Sequence, residues 1–79
     1  MALIQPNSFS RIEKSRNAVH KPVSATFTVF DDSGQKYFQI DTYGTNERIM
    51  PEKVSQSLQI DKKMALMLVD ILHKEFFID

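Results

Sequence analysis

At 79 residues the chain has room for one domain, and a chain this short buries only a little over half of the surface its unfolded form exposes, so its core must be efficient or shared. An apolar share of 42% beside 25% charged residues excludes the apolar-poor, highly charged profile of a disordered chain. Ten cations balance ten anions, and the absence of cysteine rules out a disulfide framework or a thiolate metal site, a composition that fits a reducing, cytoplasmic setting.

The first 22 residues read as a basic arm. Arg11, Lys14, Arg16 and Lys21 stand against Glu13 alone, a local charge of +3 that leaves −3 on residues 23–79. Ile4, Phe9, Ile12 and Val19 are irregularly spaced, and Pro6 and Pro22 punctuate the segment, so the arm is expected to be largely irregular. One or two helical turns are expected around residues 8–16, where Ser8 or Ser10 can cap and Phe9, Ile12 and Glu13 share a face. The apolar start is short, with its charges after it, and the longest apolar run, residues 64–69, spans six positions. Neither a signal peptide nor a membrane span is expected.

From residue 23 the alternation becomes regular. Val23, Ala25, Phe27 and Val29 fall on one face and Ser24, Thr26, Thr28 and Phe30 on the other, the pattern of a half-buried strand. Asp31, Asp32, Ser33 and Gly34 supply turn chemistry, and residues 35–42 follow as a second strand, so residues 23–42 read as a β-hairpin. In the second strand Phe38 and Ile40 form the expected buried row, while Tyr37 is left near solvent. Residues 43–52 read as a loop, because Pro51 forbids a central strand there. Residues 53–60 alternate again: Val54, Gln56, Leu58 and Ile60 face inward, and Lys53, Ser55, Ser57 and Gln59 face outward.

Asp61 is placed to cap a helix running to about Phe77, since its carboxylate accepts from the orphan amides at the positive end of the helix dipole. Met64, Ala65, Leu68, Val69, Ile71, Leu72 and Phe76 form a broad inner face opposite Lys62, Lys63, Asp70, His73 and Lys74. Leu66, Met67 and Phe77 are surplus apolar residues, expected to pack against a second copy or against the arm. The fold class is therefore α+β: an antiparallel sheet of three to four strands covered by one C-terminal helix.

Catalytic signatures are missing from the sequence. Gly34 and Gly44 each sit in their own turn and cannot build a phosphate-binding loop. The Asp31–Gly34 run fails as a calcium loop because Lys36 stands where the loop needs glycine and Thr42 where it needs glutamate. No serine lies in a nucleophile elbow, His73 falls on the polar side of a helix, and His20 is distant in sequence. No enzyme activity, cofactor or metal is expected.

The most distinctive stretch is Tyr37-Phe38-Gln39-Ile40-Asp41-Thr42-Tyr43-Gly44, followed by Arg48, Pro51, Lys53 and the run Ser55-Gln56-Ser57-Leu58-Gln59-Ile60-Asp61. Flat tyrosine rings, nearby cations and uncharged donors on strand positions make up the mixture that holds single-stranded nucleic acid. The motif resembles that of a short, widespread group of uncharacterised bacterial and phage proteins. More loosely, the order of elements over residues 23–77 is similar to the small single-strand-binding domain of transcriptional coactivators, a resemblance that implies nucleic-acid contacts on the sheet and dimerisation through the helix. The chain departs from that family in its acidic body and in lacking the lysine-glycine step before the third strand.

The expected function is that of a non-enzymatic binding module for single-stranded DNA or RNA. Tyr37, Tyr43, Arg48 and Lys53 are the candidate contacts and Arg11, Lys14 and Arg16 assist from the arm. The alternative is a protein-interaction module, such as a phage-encoded inhibitor or a small subunit of a bacterial complex, with Leu66, Met67 and Phe77 at the partner or homodimer interface.

Overall fold

The computed structural model describes residues 1–44 and 53–78. In chain order the elements are β1 (Ala2–Ile4), a 3-10 turn (Pro6–Ser8), β2 (Ala25–Asp32), β3 (Gln35–Tyr43), β4 (Val54–Ile60) and α1 (Lys62–Phe76). The strands form one four-stranded sheet in the order β1-β4-β3-β2. The expected α+β class with a single C-terminal helix stands. The sheet is mixed rather than wholly antiparallel, because β1 joins β4 in parallel.

The hairpin turn is tighter than its four polar residues suggest. Ladder pairing continues to Asp31 with Lys36 and Asp32 with Gln35, so only Ser33 and Gly34 form the loop. Both take positive φ, 52° and 79°, the requirement of a two-residue turn whose twist matches that of the strands. A Cβ at Gly34 would meet no atom within 4 Å, so replacement there is penalised by the backbone conformation alone. Gly34→Ala should therefore lower stability by about 1 kcal/mol, read by urea denaturation.

β3 pairs with β4 antiparallel, with Ile40 opposite Leu58 and Phe38 opposite Ile60. The register shifts at Thr42/Tyr43: Gln56 faces Thr42, but Tyr43 faces Val54. This irregularity breaks the row that strict alternation draws from Val54 to Ile60, and it is local to the end of the sheet where residues 45–52 depart.

The arm departs from expectation at both of its regular elements. Ala2, Leu3 and Ile4 lie beside Leu58, Gln59 and Ile60 as an edge strand, and the helical turn sits at Pro6–Ser8 rather than around residues 8–16. Proline's fixed φ and missing N–H suit the start of such a turn. Residues 9–24 carry no helix or strand.

Asp61 caps α1 as expected, its side chain accepting from the Met64 N–H at 3.0 Å. At the other end Phe77 takes the left-handed conformation, φ 54° and ψ 43°, and its N–H and that of Ile78 both donate to the His73 carbonyl. Asp61→Ala should cost about 1 kcal/mol and increase amide exchange in the first helical turn.

The helix buries only part of its expected apolar face: Met64, Ala65, Leu68 and Ile71 are withdrawn from water to differing degrees, and Val69, Leu72 and Phe76 are exposed. Met64 is 1% exposed, while Met67, Leu68 and Ile71 are half-buried. A groove along this side is lined by Phe9, Ser10 and Arg11 of the arm together with Met67 and Ile71. Arg11 closes the seam by donating to Glu75 at 3.1 Å. Ala65 begins the neighbouring side and, with Val29, Phe38 and Ile60, lines an open cleft of about 340 Å³, which places the first turn of α1 on the apolar face of the sheet. Beyond that turn the face is open: Phe27 is 66% and Val29 53% exposed, and Ile40 and Leu58 are exposed as well. The expected buried row of Phe38 and Ile40 is thus not buried within one chain.

Candidate nucleic-acid interface

Because side chains alternate along strands, the observed registers set one composition on the face opposite α1. β2 contributes Thr26, Thr28 and Phe30, paired with Asp41, Gln39 and Tyr37 of β3; β4 contributes Ser57 and Gln59, opposite Asp41 and Gln39; β1 adds Leu3 beside Gln59. The face is therefore polar at its centre and aromatic at its ends.

At one end Phe30 and Tyr37 form a cross-strand stacked pair, with ring centroids 5.5 Å apart and planes 24° from parallel. At the other, the Tyr43 hydroxyl shares a hydrogen bond with Thr26 Oγ1 at 3.0 Å, which holds the ring over β2. Five residues of β3 separate the two tyrosines, six steps along the strand and a span of roughly 20 Å. Between them runs a ladder of side-chain hydrogen bonds. Gln59 Nε2 donates to Gln39 Oε1 at 2.7 Å, Gln39 Nε2 donates to both Asp41 oxygens at 2.9 and 3.2 Å, and Ser57 Oγ also donates to Asp41 Oδ1. Ser57 is buried by this arrangement. The ladder fixes the amide orientations, and the Asp41 carboxylate accepts three hydrogen bonds from two donor groups.

The candidate contacts divide accordingly. Tyr37 and Tyr43 share the polar face, and Tyr37 is half-buried rather than solvent-facing because Phe30 stacks on it. Lys53 is exposed and directly precedes Val54, the residue opposite Tyr43, so it lies at the Tyr43 end. Arg48 lies outside the described residues. Arg11 is not brought to the face: it is held by Glu13 at 3.2 Å and Glu75 at 3.1 Å against the helix. Lys14 and Arg16 project from the arm and are exposed. Of the three proposed partner-interface residues, Leu66 and Phe77 are exposed, Phe77 to 92%, whereas Met67 is packed beside the arm.

Phe30 and Asp41 are the residues the sequence reading missed. A two-residue turn at Ser33-Gly34 fixes Phe30 opposite Tyr37 by counting outward from the loop, so that signal was present once the turn length was known. Asp41 gave none, since its role comes from the cross-strand register with Ser57.

Among the described residues no group of three or more His, Asp or Glu side chains is placed to hold a metal ion, and no helix is long and apolar enough to cross a membrane. The chain matches no protein-family model, no curated protein and no solved structure.

Proposed function

We propose that this protein is a non-enzymatic module that binds single-stranded DNA or RNA across the polar face of its sheet. The observation that carries the reading is the sequence of chemistries along that face: an aromatic pair, Phe30 and Tyr37, a hydrogen-bonded amide ladder, and a second tyrosine, Tyr43. Bases stack on the exposed ring faces at either end, and the ladder's amides and hydroxyls meet base edges between them. Lys53 at the Tyr43 end, Arg48, and Lys14 and Arg16 from the arm meet phosphates. The similarity in element order to the single-strand-binding domain of transcriptional coactivators supports the same assignment.

With only a few cations available, affinity rests on stacking more than on charge. About three phosphate contacts predict a loss of roughly twentyfold in affinity for a fourfold rise in salt, a shallow dependence for a nucleic-acid binder. Fluorescence anisotropy with labelled single-stranded DNA and RNA tests this: micromolar or tighter binding at low salt, with that slope, is expected. Binding no tighter than high micromolar for both oligonucleotides at low salt would remove the proposal. The exposed Leu66 and Phe77 favour a second reading, a protein-interaction module, and pull-down from the native host is then the informative step.

A further inference from the structure

The fold leaves two large apolar surfaces without cover. One is the sheet face of Phe27, Val29, Ile40 and Leu58, all exposed, with Phe27 stacked on Phe38 at a centroid distance of 5.3 Å. The other is a row along α1. Ala65, which borders the sheet face, is followed at spacings of four, three and four by Val69, Leu72 and Phe76, so the four lie on one side of the helix, and the last three are exposed, Phe76 to 70%. No charged side chain interrupts the row; the cross-strand partners Asp31 and Lys36, together with Lys62, stand at the margin of the sheet face.

The whole molecule carries the same signature. Its accessible surface is 7245 Å², against about 4,900 Å² for a compact monomer of this mass. Its radius of gyration is 14.9 Å, against about 12 Å for a compact chain of this length. The extended arm and the exposed apolar side chains both contribute to the excess. Only Met64 is a fully buried apolar side chain among the described residues.

We infer that a second copy of this chain, related by a two-fold axis, covers the open sheet face and the Ala65–Phe76 row. The exposed apolar side chains of the open sheet face and the Val69–Phe76 row amount to roughly 650 Å² per copy, approaching the roughly 800 Å² per partner that a stable interface buries. A flat sheet face and a convex helix row are both present on each copy, so one isologous contact satisfies both, and a chain of zero net charge meets little electrostatic resistance to self-association. The interface completes the core that one chain lacks and leaves the polar face on the other side of the sheet. It does not depend on what that face binds.

Sedimentation equilibrium at micromolar concentration should give twice the chain mass of 9.1 kDa. Val69→Glu should weaken the dimer by at least about a hundredfold, because it sets an unpaired charge in the contact. Lys63→Glu, on the charged side of α1, should leave the mass unchanged. Since Val69→Glu can also unfold the chain, isotope-filtered NOEs on a mixed-labelled wild-type sample provide the second measurement, and they should link Val69, Leu72 or Phe76 of one copy to the apolar side chains of the other. A folded wild-type protein of single-chain mass overturns the inference, whether or not another protein binds these faces. So does a dimer whose interchain NOEs map to other surfaces.

Discussion

Tyr37→Ala should weaken single-stranded oligonucleotide binding by about tenfold or more while leaving the fold intact. Base stacking on an aromatic ring contributes about 1–3 kcal/mol per base by alanine substitution, and the Phe30–Tyr37 pair is the larger of the two aromatic positions on the face. The same substitution removes a cross-strand aromatic contact, at a cost of about 0.5–1 kcal/mol in stability. Binding and unfolding measured on one preparation separate the two effects: affinity falls steeply while the denaturation midpoint moves little. Equal affinity for wild type and variant would show that the ring pair is a structural contact only.

Met64→Ala should be the most damaging single truncation, lowering stability by about 2–4 kcal/mol. Met64 is the one large apolar side chain fully withdrawn from water among the described residues, and its N–H is the group that Asp61 caps. Truncation leaves a void at the most deeply buried apolar position among the described residues, and a small domain with a modest total stability has little to spare. Urea denaturation at fixed protein concentration measures the loss. A change below about 0.5 kcal/mol, the range of an ordinary surface substitution, would mean that the site collapses freely and that the core lies elsewhere.

How far the sequence announced this structure depended on the range of the interaction. The hairpin, β4 and the Asp61 cap were legible because each rests on neighbours in the chain: alternation from Ala25 to Thr42 and from Gln56 to Ile60, a turn glycine, a carboxylate three residues before the amide it caps. β1 was not legible. Three residues show no period, and the strand forms only because β4, far along the chain, offers a parallel edge to Ala2, Leu3 and Ile4. The shift at Thr42/Tyr43 likewise belongs to the pairing rather than to either strand.

The helix shows the same limit. Its broad apolar arc was readable, but the arc divides into a side that borders the N-terminal segment and a side left exposed among the described residues. Hydrophobic periodicity says that Val69 and Phe76 are to be buried, and it does not say by which chain. At the candidate site, Tyr37 and Tyr43 were found by residue type and Phe30 and Asp41 only by register. Arg11 shows the converse: a basic residue in a basic arm is spent on Glu13 and Glu75, a pairing that depends on the arm lying along the helix.

The central claim is that the polar face of the sheet is the binding surface. Titration of isotope-labelled protein with a short single-stranded oligonucleotide, followed by amide and side-chain NMR shifts, tests it residue by residue. The largest changes are expected on Phe30, Tyr37, Gln39, Tyr43, Ser57 and Gln59, including the side-chain amides of the two glutamines. Changes confined to the apolar face and the Val69–Phe76 row, or no change at saturating oligonucleotide, would contradict it.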